Sequence, residues 1–232
     1  PEVTSIVQLP PNVGLVPNPP PQIDPNIELS GMDPAVFGIP AQAIPPRRVY
    51  QRGALSFQWT AEDRNDDKLV YDVYFREVSA ADFKLLRSDI TENFVSIDTA
   101  SLADGRYVVR VVAKDVPSNS TAEALTGERT SDPFFVDNSA PTVAAIGQPQ
   151  ITGGTARMIF TASERSTFVA RAEYSVNGGE WRPAFAEDGI LDGPEERFTV
   201  NVDLPAPGAY VIAFRAFDAV GNAGSTRVEI RR

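Results

Sequence analysis

The 232 residues are 42% hydrophobic and 22% charged, which is typical of a globular chain with one or two domains. Histidine and cysteine are absent, so the usual general base near neutral pH, thiol nucleophiles, and zinc or iron–sulfur sites built from these residues are excluded. The 31 acidic and 21 basic residues give a net charge of −10, which argues against binding to nucleic acid, and no run of about 20 apolar residues predicts insertion into a membrane.

The first predicted element, residues 1–8, is followed by a proline-rich insertion at about residues 10–51. Eleven of the twenty prolines lie in this insertion. Because proline fixes φ and has no amide donor, we expect an extended surface loop without strands or helices. The insertion also contains apolar residues, which disordered segments usually lack, so part of it is predicted to pack against protein. These residues are Val13, Leu15, Val16, Ile23, Ile27, Leu29, Val36, Phe37 and Ile39.

After the insertion, apolar residues alternate with polar ones in short segments, which is the pattern of half-buried antiparallel strands. The alternating residues of the first half are Leu55, Phe57, Trp59, then Tyr71, Val73, Phe75, then Val95, Ile97, then Tyr107, Val109, Val111, Ala113. Those of the second half are Tyr174, Val176, then Phe198, Val200, Val202, then Tyr210, Ile212, Phe214, Ala216, then Val228, Ile230. The tripeptide Asn177-Gly178-Gly179 predicts a hairpin turn.

The two halves of the chain are repeats of each other. The matching positions, 101 to 103 residues apart, are Trp59 and Phe160, Tyr107 and Tyr210, Ala113 and Ala216, and Asp115 and Asp218. Each repeat has about seven short strands, which is typical of an immunoglobulin-like β-sandwich. The predicted domains are residues 1–138, which include the insertion, and residues 139–232.

The first repeat resembles the fibronectin type III domain. The resemblance lies in Trp59, in the strand Tyr71-x-Val73-x-Phe75, and in the motif Leu102-x-x-Gly105-x-Tyr107-x-Val109-x-Val111-x-Ala113. It implies an all-β fold of two tandem immunoglobulin-like (fibronectin type III-like) β-sandwiches, with Trp59 in the core and tyrosine corners at Tyr107 and Tyr210. Phe160 replaces the tryptophan in the second repeat, which is therefore identified more broadly as immunoglobulin-like.

Residues 63–72 and 135–141 resemble the sandwich tandems found at the C-terminus of bacterial exported proteins, often after a β-propeller. The resemblance implies a periplasmic, cell-surface or extracellular location and an accessory role in a larger chain, but it supplies no activity. A first residue that is proline rather than methionine also leads us to expect a processed protein or a fragment.

An acidic segment contains Asp63, Asn65, Asp66 and Asp67. Oxygen atoms at this spacing could bind calcium, but the segment fails as an EF-hand loop because Lys68 and Tyr74 occupy the glycine and glutamate positions. We therefore expect a solvated turn whose side chains cap their own backbone.

The junction Asp137-Asn138-x-x-Pro141 resembles the calcium-binding linkers of cadherins. Those linkers need acidic partners from motifs in neighbouring loops, and the sequence shows no such motif. The other interpretation is a short turn in which Pro141 stiffens the junction and limits rotation. The sequence thus predicts no metal site, and only a small effect of calcium on the melting temperature.

No catalytic or cofactor-binding residue is predicted. Glu195 and Glu196 are adjacent and precede a strand, where one of the two would face solvent, so they do not make a glycosidase pair. A serine nucleophile with a lysine base would need Lys68, Lys84 or Lys114, which all lie at positions predicted to be exposed.

Trp181 follows the hairpin turn and has two interpretations. It packs over the edge of its own hairpin, as Phe83 would in the first repeat, or it is exposed and stacks on a sugar ring.

The sequence therefore predicts a non-catalytic spacer or protein-docking module, in which the insertion is a contact surface or covers a strand edge. The alternative is a module that binds carbohydrate or another ligand through Trp181 or Phe37.

Overall fold

A computed structural model describes residues 1–18, 45–120 and 122–232. These residues form seventeen strands and one 3-10 helix, Thr99–Ser101. None of the described segments forms a helix with the length and apolar character that crossing a membrane requires. The chain divides into two compact units. The first unit comprises Pro1–Phe75, Lys84–Asp98 and Val109–Ser131. The second unit comprises Arg76–Phe83, Thr99–Val108 and Asp132–Arg232.

Ten of the strands precede Asp137. They are β1 (Glu2–Gln8), β2 (Val13–Val16), β3 (Arg47–Tyr50), β4 (Ala54–Glu62), β5 (Val70–Glu77), β6 (Lys84–Ile90), β7 (Phe94–Asp98), β8 (Gly105–Lys114), β9 (Thr126–Thr130) and β10 (Phe134–Val136). One sheet has the order β1-β4-β7, and a second has the order β10-β8-β5-β6 with β9 also paired to β8. β9 and β10 pair with successive parts of β8, so they form one edge that is interrupted around Pro133.

The remaining seven strands repeat this plan. They are β11 (Thr142–Thr152), β12 (Thr155–Ser163), β13 (Val169–Val176), β14 (Arg182–Ala184), β15 (Glu195–Asp203), β16 (Ala209–Asp218) and β17 (Ala223–Arg231). They form one sheet in the order β11-β12-β15 and another in the order β14-β13-β16-β17. Asn177 and Gly178 have φ values of 50° and 71°, and the predicted hairpin turn therefore lies between β13 and β14.

Aromatic side chains join the two sheets of each half. The rings of Trp59 on β4 and Tyr71 on β5 meet edge to face with centroids 5.3 Å apart. At the matching place in the second half, Phe160 on β12 stacks on Phe214 on β16 at 4.4 Å. Alternate residues of β12 and β16 are buried, because one face of each sheet is turned toward the core, whereas the first four residues of β4 are all buried. Both halves are therefore β-sandwiches.

The predicted tyrosine corners are present in both sandwiches. The Tyr107 hydroxyl donates a hydrogen bond to the Ala103 carbonyl at 3.0 Å, and the Tyr210 hydroxyl donates to the Ala206 carbonyl at 2.8 Å. Sheet order and tyrosine corners together define a tandem of immunoglobulin-like, fibronectin type III-like β-sandwiches, as predicted.

The ends of the insertion contain strands, so the expectation of a loop without strands is wrong there. β2 and β3 pair with each other, and neither segment contains proline, so their amide donors are available for pairing. β2 is fixed to the first sandwich by the Ser56 hydroxyl, which donates to the Val13 carbonyl, and by the Leu15 amide, which donates to Ser96 Oγ. Residues 19–44, including Phe37, lie outside the described part of the chain.

Candidate metal centre

The predicted acidic turn near the start of the first sandwich is confirmed. Asp63 Oδ1 accepts hydrogen bonds from the amides of Asn65 at 2.8 Å and Asp67 at 3.4 Å, and Asp66 has a φ of 57°. These are the bonds of an Asx turn that caps its own backbone.

The fold also brings Asp115 to this turn. One carboxylate oxygen each of Asp63, Asp67 and Asp115 lies within 4.8 Å of the others. Each carboxylate has a hydrogen-bond donor that does not depend on Pro1. The amides of Asn65 and Asp67 donate to Asp63, Asn119 Nδ2 donates to Asp67, and the Leu125 amide donates to Asp115. Donors among the described residues therefore satisfy this cluster.

A second carboxylate cluster lies entirely within the second unit and contains Asp137, Glu164 and Asp218. Asp137 follows β10, Glu164 follows β12, and Asp218 ends β16. Their ligand oxygens lie within 4.8 Å of one another, and the residues are only 5%, 5% and 3% exposed, respectively. Three carboxylates are thus collected at a place where water reaches them poorly.

Backbone amides fix the carboxylate of Asp218. Its Oδ1 accepts from the amides of Val220, Gly221 and Asn222 at 2.9, 2.7 and 2.9 Å, and its Oδ2 accepts from Asn222 Nδ2 at 2.8 Å. The same Asn222 amide donates to the main-chain carbonyl of Asp137 at 2.9 Å. Asn222 therefore links the loop after β16 to the segment that follows β10.

Glu164 uses one carboxylate oxygen and leaves the other without a partner. Oε1 accepts hydrogen bonds from the amides of Arg165 at 2.6 Å and Ser166 at 2.9 Å. Oε2 is buried and has no hydrogen-bond partner among the described residues. A buried charged oxygen in this state costs free energy unless something binds it.

The cluster has no cationic partner among the residues that the structure describes. Asp137 accepts from the Ser139 amide and the Thr167 hydroxyl, which are neutral donors. No lysine or arginine in the described residues forms an ion pair with the three carboxylates, and residues 19–44 and 121 contain neither residue type. Burial, followed by the charges of Glu164 and Asp218, raises the pKa of Asp137 to about 6.

Sequence reasoning missed this cluster, although its residues lie in the segments that define the repeats. Glu164 and Asp218 match Asp63 and Asp115, so both sandwiches place two acidic side chains at the same positions. Asp137 has acidic partners from neighbouring loops, Glu164 and Asp218, although no motif of the cadherin kind supplies them. The recurrence of acids at matched repeat positions is the signal that could have identified them.

The other residues weighed from the sequence form no catalytic group among the described residues. Glu195 is exposed, whereas Glu196 is buried and its Oε1 accepts from the amides of Asp192 and Gly193. Lys114 lies between Asp72 and Asp89, with Nζ 2.8 and 2.7 Å from their carboxylates.

Trp181 has a neighbour over its ring. The Arg215 guanidinium lies 3.8 Å from the centroid of the indole and is held there by Glu173, whose Oε2 accepts from Arg215 Nη2 at 2.7 Å. Trp181 is 41% exposed and borders a cleft of about 570 Å³ that Arg215, Ala213 and Thr226 also line. The ring is therefore both packed by its own sheet and open to solvent at the cleft.

No family model matches the sequence, and no curated protein matches it. Among solved structures, the FN1–FN3 domains of chicken CNTN1 are 13% identical with a TM-score of 0.38, over 81% of this chain and 72% of theirs. The fibronectin(III)-like modules of Clostridium thermocellum CbhA are 20% identical with a TM-score of 0.38, over 77% of this chain and 84% of theirs. The sheet order and tyrosine corners of this chain, rather than these similarities, define its fold.

Proposed function

We propose that this chain is a non-catalytic structural module, a spacer or a protein-docking unit, within a larger bacterial exported protein. The observation that carries the proposal is the completeness of the two sandwich cores. Large, fully buried side chains among the described residues lie between the sheets and fill the cores, and they include Trp59, Phe57, Phe160, Phe198 and Phe214. Such cores give stiff units that hold other parts of a chain in place.

The chemistry of the chain supports the same proposal. Without histidine or cysteine, acid–base work at neutral pH would fall to carboxylates and lysines. The buried carboxylates described above are held by backbone amides, and Lys114 is held between two aspartates. The hydrogen bonds and ion pairs of these groups fix the loops and strands that carry them.

The first test is the intact mass of the native protein, captured from its source cells with an antibody raised against these 232 residues. We expect a mass well above 25 kDa in an exported fraction, because a spacer serves a longer chain. A mass near 25 kDa, or recovery only from the cytoplasm, would contradict the proposal. Capture with an antibody absorbed against the same fragment is the control.

A second candidate function, binding of a polysaccharide, is favoured by the cleft beside Trp181. An indole that borders a cleft can stack on a sugar ring, and Arg215 supplies hydrogen-bond donors next to it. We expect Trp181→Ala to abolish retention on insoluble glycans. The melting temperature should fall only slightly, because an exposed cation–π contact contributes about 0.5–1 kcal/mol.

The matched control for this candidate is Phe185→Ala. Phe185 is another aromatic residue of the second unit, and it is 73% exposed. Binding that is lost in both variants would show non-specific adsorption to exposed rings. Absence of retention of the unmodified protein on every glycan tested would remove the candidate.

A further inference from the structure

The carboxylate cluster of Asp137, Glu164 and Asp218 poses a problem of charge. Three ionised carboxylates at mutual distances within 4.8 Å repel one another, and burial removes most of the water that would screen the repulsion. Buried charges in proteins are normally paired or coordinate metals. Because the described protein supplies no cation here, the compensating charge has to come from outside the chain.

The distances fit one ion of a particular class. Two oxygens that bind the same calcium ion at about 2.3–2.6 Å can be at most about 4.6–5.2 Å apart. The three oxygens of the cluster meet this limit pairwise. All the charged donors are carboxylates, which hard cations prefer, and nitrogen or sulfur donors of histidine and cysteine are absent from the chain.

The free oxygen of Glu164 gives independent support for a ligand. In a buried hydrogen-bond network whose other acceptors are satisfied, Oε2 is left with no donor. Its partner oxygen is held by two amides, which fixes the carboxylate and presents Oε2 as a ligand without further rearrangement. Asp218 is fixed in the same way by three amides.

We propose that Asp137, Glu164 and Asp218 bind a calcium ion in the second unit. The ion joins the segment after β10 to the loops that follow β12 and β16, which Asn222 already links in part. Calcium is favoured over magnesium because magnesium retains several of its waters, whereas these carboxylates are buried and collected from three separate segments. The site does not depend on the proposed spacer function.

The carboxylate cluster of the first sandwich is not the proposed site. Backbone amides and Asn119 donate to its carboxylates, and none of Asp63, Asp67 and Asp115 has an oxygen that is buried without a partner among the described residues. This difference between matched positions allows the two clusters to be tested against each other.

The experiment titrates calcium chloride into protein stripped with a chelator, and measures binding by calorimetry and stability by thermal denaturation. We expect one high-affinity site. The melting temperature should rise by about 5–10 °C when free calcium is about 100-fold above its Kd, because the ion binds only the folded state. Magnesium at the same concentration should give a smaller rise.

The variant Glu164→Gln tests the location. It keeps the amide contacts of Oε1 but removes the charge, so calcium should bind at least about 10-fold more weakly. The matched control is Glu196→Gln, which alters another buried glutamate whose Oε1 accepts two backbone amides outside the cluster. Its calcium affinity should equal that of the unmodified protein. Asp63→Asn, in the first cluster, should also leave the affinity unchanged.

Three results would overturn the proposal. The first is that the unmodified protein gives no heat and no change in melting temperature with millimolar calcium. The second is that Glu164→Gln and Glu196→Gln bind calcium equally well. The third is that Asp63→Asn is the variant that loses binding. If Glu164→Gln does not fold, Asp137→Asn gives the same test, because Asn222 is anchored by the main-chain carbonyl of Asp137 and not by its side chain.

Discussion

At the scale of single residues, carboxylates at matching positions of the two sandwiches have different surroundings. Asp63 follows β4 and Glu164 follows β12, which are matching places in the two repeats. Two backbone amides donate to Asp63, which has no buried oxygen without a partner, whereas Glu164 has one and its charge contributes to the raised pKa of Asp137. The neighbouring donors and charges, rather than the residue type, decide whether a carboxylate at this position is stabilised by the protein alone.

Gly224 lies at a position where the surrounding backbone leaves no room for a side chain, which gives a test at the scale of one residue. A Cβ on Gly224 of β17 would lie 1.8 Å from the Pro141 carbonyl oxygen, so Gly224→Ala must displace the backbone before β11. We expect a loss of about 1–3 kcal/mol in unfolding free energy, measured by thermal or denaturant unfolding. Gly208→Ala is the control, because nothing lies within 4 Å of its Cβ. Equal stability of the two variants would refute the close approach.

At the scale of elements, the longer strands with alternating apolar residues could be predicted, whereas short strands and strands without that alternation could not. β15 and β16 alternate between buried and exposed residues, which is the signal that period-two patterns detect. β6 is an edge strand with no buried residue, so its sequence carries no apolar alternation, and β14 has three residues. β2 and β3 could not be predicted because prolines flank β2 on both sides and precede β3.

The carboxylate cluster could be predicted only in part, for a related reason. Asp137, Glu164 and Asp218 lie in loops or at strand ends, where no periodicity constrains the sequence, and they are separated by 27 and 54 residues. Their meeting depends on the strand order of a sandwich, which brings distant loops together at one end of the sheets. The repeats identified two of the positions, but only the three-dimensional arrangement joins them to Asp137.

At the scale of the whole molecule, the insertion is the feature that departs from a plain tandem of sandwiches. Its first strand, β2, contacts β4 and β7, and β7 is an edge of its sheet. Leu15 is buried by this contact, and the Ser56 and Ser96 hydroxyls bond the backbone of β2. β2 can therefore shield a sheet edge from pairing with other chains.

Two variants separate the role of β2 from that of residues 19–44. Asn18 Nδ2 donates to the Pro45 carbonyl at 2.6 Å, so these two residues are close together. An Asn-Gly linker between them can therefore replace residues 19–44 while β2 and β3 remain paired. We expect this variant to keep the melting temperature and solubility of the unmodified protein, measured by thermal denaturation and light scattering. Deletion of residues 12–46 removes β2 and exposes the Ser56 and Ser96 hydroxyls, so it should lower both. If the Asn-Gly variant aggregates as readily as the longer deletion, residues 19–44 themselves protect the sandwich. If it stays soluble but no longer binds a partner that the unmodified protein binds, they form the docking surface.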